Sequence, residues 1–339
     1  TIDVYRGKFL PTNNFIAFAS FISFFPQLVA GPIERASSLL PQLLKKRNFS
    51  FDESITGLRL LIWGLFKKII IADSLAPIVD NIFDNYQDLA GGTLWLGLIY
   101  FSFQIYCDFS GYSDIAIGTA RLLGIKIMNN FEFPFFSRNV AEFWRRWHIS
   151  LTSWFTDYFY FPLKLEYRNS GPFANLFILL LYFGLIGLWH GSNWTFILFG
   201  IYHGLFFIPT IFYPKFYSLK SKNISENSAL PTFKELFQVF FTFLIVSLGW
   251  VFFRSEDVWS AYVYFISLFN DVFPDMYRSF FVFLVIPFIF IEYLYFKKEA
   301  YLLTTKNILF RTIESILLYY LLYKMAFENT LQQFIYFQF

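Results

Sequence analysis

The sequence predicts an all-α, polytopic helical membrane protein, and three observations carry that reading. Of the 339 residues, 56% are hydrophobic and 15% charged, whereas a soluble domain carries about a quarter charged residues. Aromatics make up 24%, including 51 phenylalanines, and mean hydropathy is +0.48; a water-exposed globule has no use for so much apolar surface. Several uncharged runs also approach the ~20 residues that an apolar helix needs to cross a bilayer. No internal repeat or low-complexity stretch divides the chain, so residues 1–339 read as one membrane-embedded domain.

The chain opens at Thr1 with TIDVYRGKF, charged rather than apolar. It therefore reads as a chain whose N-terminal helices are missing, and no targeting segment is legible. Phe15–Ile33 is uncharged, but Pro26 and the Gly31-Pro32 pair interrupt it, which predicts a bent or re-entrant helix. Ile55–Leu75 is apolar apart from Arg59, Lys67 and Lys68; it reads as a helix with a polar stripe, or one whose lysines snorkel to the interface. After Gly91-Gly92 a long helix is expected from Thr93 to about Gly124, with Ser110-Gly111 as a place to kink or unwind.

Glu142–Leu163 is too charged at its start to span, and its Leu151, Trp154, Phe155, Tyr158 and Phe159 repeat at helical spacing. An amphipathic, interfacial or re-entrant segment follows from that pattern. Cleaner spans are Phe173–Trp189, Trp194–Tyr213, Leu236–Phe253 and Phe280–Phe296, the first two joined as a hairpin through Gly191-Ser192-Asn193. Trp259–Phe269 is too short to cross, and Ile308–Tyr323 carries Arg311 and Glu314 one turn apart. Short basic segments stay on the cytoplasmic side, which places Lys45–Arg47, Lys215–Lys222 and Lys297-Lys298 there and the Gly191–Asn193 tip toward the other side. A cysteine introduced at Ser225 is accordingly expected to resist labelling from outside intact cells; ready labelling would reverse this topology.

Composition also excludes functions. A net charge of +3 without a basic, aromatic-interleaved stripe offers nothing to nucleic acid. The single cysteine, Cys107, excludes an internal disulfide, and it reads as a small residue packed in the bundle rather than a nucleophile. No HExxH spacing, phosphate-cradling GxxxxGK or GxSxG elbow occurs, and no two of the three histidines stand three to five residues apart, so no metal site is expected.

What remains is a concentration of ionisable groups where they are expensive. Asp108, Asp114, Arg121, Glu142, Arg145, Arg146 and His148 fall between Phe101 and Leu163, and LWHGSNW follows with Trp189, His190 and Asn193. If Glu142–Ser150 is helical, Trp144 and His148 share a face and Glu142 can pair with Arg146. A desolvated imidazole stays neutral and serves as base or acceptor; alternatively His148 hydrogen-bonds a neighbouring helix. His190, on the last turn of an uncharged span before Gly191, is placed to face a cavity, with Asn193 and the indoles of Trp189 and Trp194 as nearby donors; its alternative is to satisfy helix-end carbonyls. His203 reads as a helix–helix hydrogen bond. Asp114 reads as part of an ion-pair network with Arg121, Arg145 or Arg146, and Asp108 either as another such pair or as the carboxylate that orients a histidine.

Five ordered blocks carry a resemblance: SFFPQLVAGPIER (Ser23–Arg35), QIYCDFSGYSDIAIG (Gln104–Gly118), NFEFPFFSRNVAEFWRRWHISLTSWFTDYFYFPL (Asn130–Leu163), GLWHGSNWTFILFGIYHG (Gly187–Gly204) and the terminal FIYFQF. They resemble the membrane-bound O-acyltransferase family, in its bacterial alginate O-acetylase-like branch. The resemblance implies a bundle of short, tilted and re-entrant helices around a central tunnel, with His190 as the catalytic histidine and His148 as the second polar residue of the site. It implies transfer of an acyl group, read here as acetyl, from a cytoplasmic thioester (acetyl-CoA or an acyl carrier) to hydroxyls of an extracytoplasmic polysaccharide, directly or through a periplasmic acetyltransferase partner. No bound cofactor is implied, and the location is the bacterial inner membrane, multi-pass and in contact with lipid. In that scheme Asp108, Arg145, Arg146, Trp189 and Asn193 support the site. Two other classes compete: a transporter with a buried Asp/His relay, which the lack of repeats disfavours, and an inactive scaffold for a periplasmic transferase.

Overall fold

The stretch that begins at Gly91-Gly92 becomes the central helix of the molecule. This is seen in a computed structural model that describes residues 1–213, 230–271, 273, 281–298, 316, 319, 320, 323, 332, 334 and 335. In chain order the helices are α1 (Ile2–Tyr5), α2 (Phe15–Ile22), α3 (Ala36–Leu44), α4 (Phe51–Leu65), α5 (Asp73–Asp84), α6 (Gly91–Leu122), α7 (Val140–Arg146), α8 (Ile149–Phe155), α9 (Phe161–Glu166), α10 (Gly171–His190), α11 (Trp194–Leu205), α12 (Ile208–Phe212), α13 (Phe233–Arg254), α14 (Val258–Ser267) and α15 (Val282–Lys298). No strand occurs among the described residues. The all-α expectation holds. Among the described residues three segments are long and apolar enough to cross a membrane: α10, α11 with α12, and α13. Phe173, Phe177, Phe233 and Phe240 on them stay exposed, as lipid contact requires.

At 32 residues, α6 is about 48 Å long, more than a bilayer's hydrocarbon core. It runs unbroken through Ser110-Gly111, against the expectation of a kink there. Gly111 serves a packing role instead. A Cβ on it would lie 2.7 Å from the carbonyl oxygen of Gly64 on α4, and a Cβ on Gly64 would lie 2.5 Å from that of Gly111. The two backbones therefore meet directly, as small residues allow between membrane helices. Gly111→Val is expected to cost about 1–3 kcal/mol by overpacking, read as reduced abundance of folded protein in membranes. Wild-type abundance would show that α4 can move aside.

The irregularity lies across from α6. Phe66–Ala72 is a π-helical turn joining α4 to α5, and such turns cluster at functional sites. It buries Lys67 against α6, so the polar-stripe reading of this helix holds and snorkelling of Lys67 does not. Phe15–Ile33 is broken as expected, into α2 and a short 3-10 turn at Phe25–Gln27.

The α10–α11 hairpin forms where the sequence places it. Would-be Cβ atoms on Gly187 and Gly200 lie 2.0 Å from the carbonyl oxygens of Phe196 and Phe183, so glycine alone permits this crossing. The Tyr202 hydroxyl donates to the Ile245 carbonyl (2.9 Å) and ties α11 to α13. At one end of the bundle, Arg47 packs on Gly124 just beyond α6. At the other, the Gly91 N–H donates to the Asn270 carbonyl (2.6 Å), Arg254 pairs with Asp80 (2.9 Å), and Asn193 at the hairpin tip donates to the Glu256 carbonyl. Lys45–Arg47 and the tip thus occupy opposite ends. Most of the Lys215–Leu230 linker lies outside the described residues, as do Arg311 and Glu314 of Ile308–Tyr323.

Candidate active site

Asn139 starts α7 by accepting the Glu142 N–H on its side-chain oxygen (2.8 Å), the usual N-cap device. Glu142 then accepts from Arg138 (3.1 Å) and from Arg146 (2.8 Å), so the expected Glu142–Arg146 pair is present with a second arginine added. One helix from 142 to 150 is not. α7 ends at Arg146, Trp147 is extended, and α8 starts at Ile149. Trp144 and His148 therefore do not share one helical face. His148 sits in the break with φ of 44°, a left-handed conformation that costs a non-glycine residue about 1–3 kcal/mol and collects at functional sites.

The imidazole of His148 is buried. It meets Phe109 of α6 edge-on (4.6 Å between ring centroids) and Trp189 of α10 (5.8 Å). Neither ring nitrogen has a hydrogen-bond partner among the described residues. Buried polar atoms in that state are rare and call for an explanation. Phe109 lies near the middle of α6, so the imidazole stands about midway along that helix.

His190 closes α10, and Gly191 follows it. Its ring packs beside Trp189 (5.1 Å), Phe253 (5.0 Å) and Phe199 (6.2 Å), half-buried. Its sequence neighbour Trp189 is the ring that His148 also meets. Trp144 meanwhile packs on Phe183 (5.6 Å) and Phe199 (6.2 Å). The segments around residues 144–149 and 187–193 converge, and Trp189 touches both histidines.

Of the supporting residues only Trp189 lies at the histidines; the other four are engaged elsewhere. The Asp108 carboxylate binds Lys68 (2.8 Å) and accepts the Ile335 N–H (2.6 Å), so it orients no histidine. Lys68 also holds Asp73 (2.7 Å). Asp114 pairs with Lys67 (2.6 Å), not with an arginine, and Lys67 donates further to Ser110 (2.9 Å). Asn193 caps α11, accepting from the Thr195 N–H (3.2 Å), while its amide nitrogen serves Glu256; it is not aimed at the histidines. Arg146 donates to Glu132 (3.1 Å) as well as Glu142, and Arg145 lines a separate cavity with Ala141, Trp144 and Thr152. His203 is fully buried, edge-on to Trp144 (5.2 Å) and Phe199 (4.8 Å) and fitted against Gly249. Neither of its ring nitrogens has a hydrogen-bond partner among the described residues; Tyr202 makes the inter-helix bond in its place. Cys107 is buried as expected.

A polar cavity of about 340 Å³ was not foreseen; Lys67, Tyr106, Asp114, Glu132, Arg146 and Glu292 are in its wall. Glu292 of α15 accepts from the Tyr106 hydroxyl (2.7 Å). Phe131, also in the wall, packs on Phe109 (5.0 Å), the ring beneath His148. The contacts run from the cavity wall through Phe131 and then Phe109 to the imidazole. The signal for Lys67 and Lys68 was present: two buried acids on a membrane helix require cations on a facing one.

The family model described as the membrane-bound O-acyltransferase family matches residues 9–234. A probable alginate O-acetylase of Azotobacter vinelandii is 40% identical over 273 residues, covering 79% of this chain and 51% of the relative. A peptidoglycan O-acetyltransferase of Helicobacter pylori is 36% identical, covering 75% and 46%. A teichoic acid D-alanyltransferase of Bacillus subtilis is 30% identical, covering 70% and 60%. The chain spans about half the length of the curated alginate and peptidoglycan relatives it matches.

Proposed function

The chain belongs to the membrane-bound O-acyltransferase family, and we propose that it takes part in moving an acetyl group from a cytoplasmic thioester donor to hydroxyls of an extracytoplasmic polysaccharide, directly or through a periplasmic transferase. The observation that carries this reading is that His148 packs against Trp189, the residue beside His190, bringing together two segments far apart in the chain. The relatives' names differ in polymer and in acyl group, and what they share is acyl transfer.

His190 takes the proton of the acceptor hydroxyl. The oxygen bonds to the thioester carbonyl carbon, the C–S bond breaks, and the leaving thiolate recovers a proton from the imidazolium. General-base catalysis of this kind contributes about 10²–10⁴-fold. His148, with no partner for either nitrogen among the described residues, is free to donate an N–H to the developing oxyanion, where preorganised donors act most strongly. Asn193 and Arg146 are engaged with Glu256 and Glu142 and are not assigned that role. The donor, acetyl-CoA or an acyl carrier, approaches from the end marked by Lys45–Arg47, which the basic residues assign to the cytoplasm of a plasma membrane.

The test is incorporation of labelled acetyl into polysaccharide by membranes containing the full-length protein, with and without His190→Ala. Loss with the variant supports catalysis. Unchanged incorporation would favour a scaffold.

A further inference from the structure

The break that carries His148 is held by a segment some twenty residues upstream. On its near side the Glu132 N–H donates to the Arg146 carbonyl (3.0 Å), and on its far side the Ile149 N–H donates to the Asn130 carbonyl (2.9 Å). Trp147 and His148 are the only residues between these two bonds. The Asn130 side chain then adds three more. Its amide oxygen accepts from the Ser150 N–H (3.2 Å) and the Ser150 hydroxyl (2.6 Å), and its amide nitrogen donates to the Ser113 hydroxyl on α6 (3.3 Å). Asn130 is 1% exposed.

The anchor point matters. Ser113 lies four residues after Phe109, so the two share one face of α6. Phe109 is the ring on which the His148 imidazole stands. The bracket therefore fixes the start of α8 to the same face that supports the imidazole. Removing it leaves the left-handed residue without the contacts that impose its conformation.

We propose that Asn130 is the positioning residue for His148, setting the imidazole in the site through the Ser150 and Ser113 bonds. The inference rests on the reading of His148 as part of the reaction site. Asn130 touches neither reacting group and acts through the Ile149 and Ser150 N–H groups and the Ser150 and Ser113 hydroxyls. Misplacing a catalytic group by about 1 Å costs on the order of 10²-fold in rate, while substrate affinity is set elsewhere.

The experiment measures kcat and KM for the acetyl donor in membranes of the full-length protein, with abundance and detergent melting temperature as controls. Asn130→Ala is expected to lower kcat by about 10–100-fold, with KM within about twofold and abundance retained. Ser150→Ala removes one bond and leaves the Ser150 N–H in place; a fall of about threefold or more is expected of it, on the scale of one hydrogen bond. Wild-type kcat in Asn130→Ala overturns the proposal. If Asn130→Ala does not accumulate, Ser150→Ala decides: reduced kcat supports the bracket, wild-type kcat overturns it. His148→Ala runs alongside. Full activity there would remove the reading of His148 itself, whereas loss there with wild-type Asn130→Ala would remove the bracket alone.

Discussion

His190→Ala is expected to abolish most acetyl transfer, by the ~10²–10⁴-fold typical of removing a general base, with membrane abundance near wild type. The second part follows from where the ring sits. It is half-buried at a helix end, beside Phe253, Phe199 and Trp189, and Phe199 retains its contacts with Phe253 (5.2 Å) and Trp250 (5.2 Å). His190→Gln discriminates further. Glutamine can hydrogen-bond but cannot take a proton near neutral pH, so it is expected to rescue little. Wild-type-like turnover in His190→Gln would show that this position supplies a hydrogen bond and not proton abstraction. His203→Gln is the control: that ring is packed under Trp144 and faces Gly249, and most activity should remain.

What the sequence made legible was periodic or local. The α10–α11 hairpin followed from two apolar runs and the glycine-containing tip between them, and α6 from its length. The pairing of Glu142 with Arg146 followed from i,i+4 spacing. The errors fell where a residue's conformation is set by another part of the chain. Gly111 has the local signature of a kink, yet it is matched to Gly64 on a facing helix and α6 runs on unbroken through it. The helix reading of 142–150 satisfied local propensity, but Asn130 and Glu132 bind the backbone on either side of Trp147-His148 and break it. Asp108 and Asp114 were assigned arginine or histidine partners along the chain. Their lysine partners are placed by the π-helical turn at Phe66–Ala72, whose register no periodicity announces.

That turn is where the largest structural effect is expected. Lys67→Met leaves the Asp114 carboxylate in the wall of the polar cavity without its 2.6 Å partner. Lys67 is 3% exposed and the Asp114 side chain 19%, so water in the cavity replaces only part of the lost interaction. Breaking a buried pair from one side costs about 3–5 kcal/mol, because a charge is left uncompensated. A protein of ordinary marginal stability loses much of its folded population to such a change. Folded abundance in membranes should therefore drop several-fold or more. The double variant Lys67→Met/Asp114→Leu removes both charges together. Replacing a whole buried pair by apolar side chains is close to neutral, so its abundance is expected to recover toward wild type, although the Ser110 hydroxyl loses the Lys67 donor. Folded protein measured by size-exclusion profile and melting temperature in detergent separates the two variants. If Lys67→Met accumulates normally, the ion pair is not holding α6 to the π-helical turn, and the helix contact at Gly64 and Gly111 suffices alone.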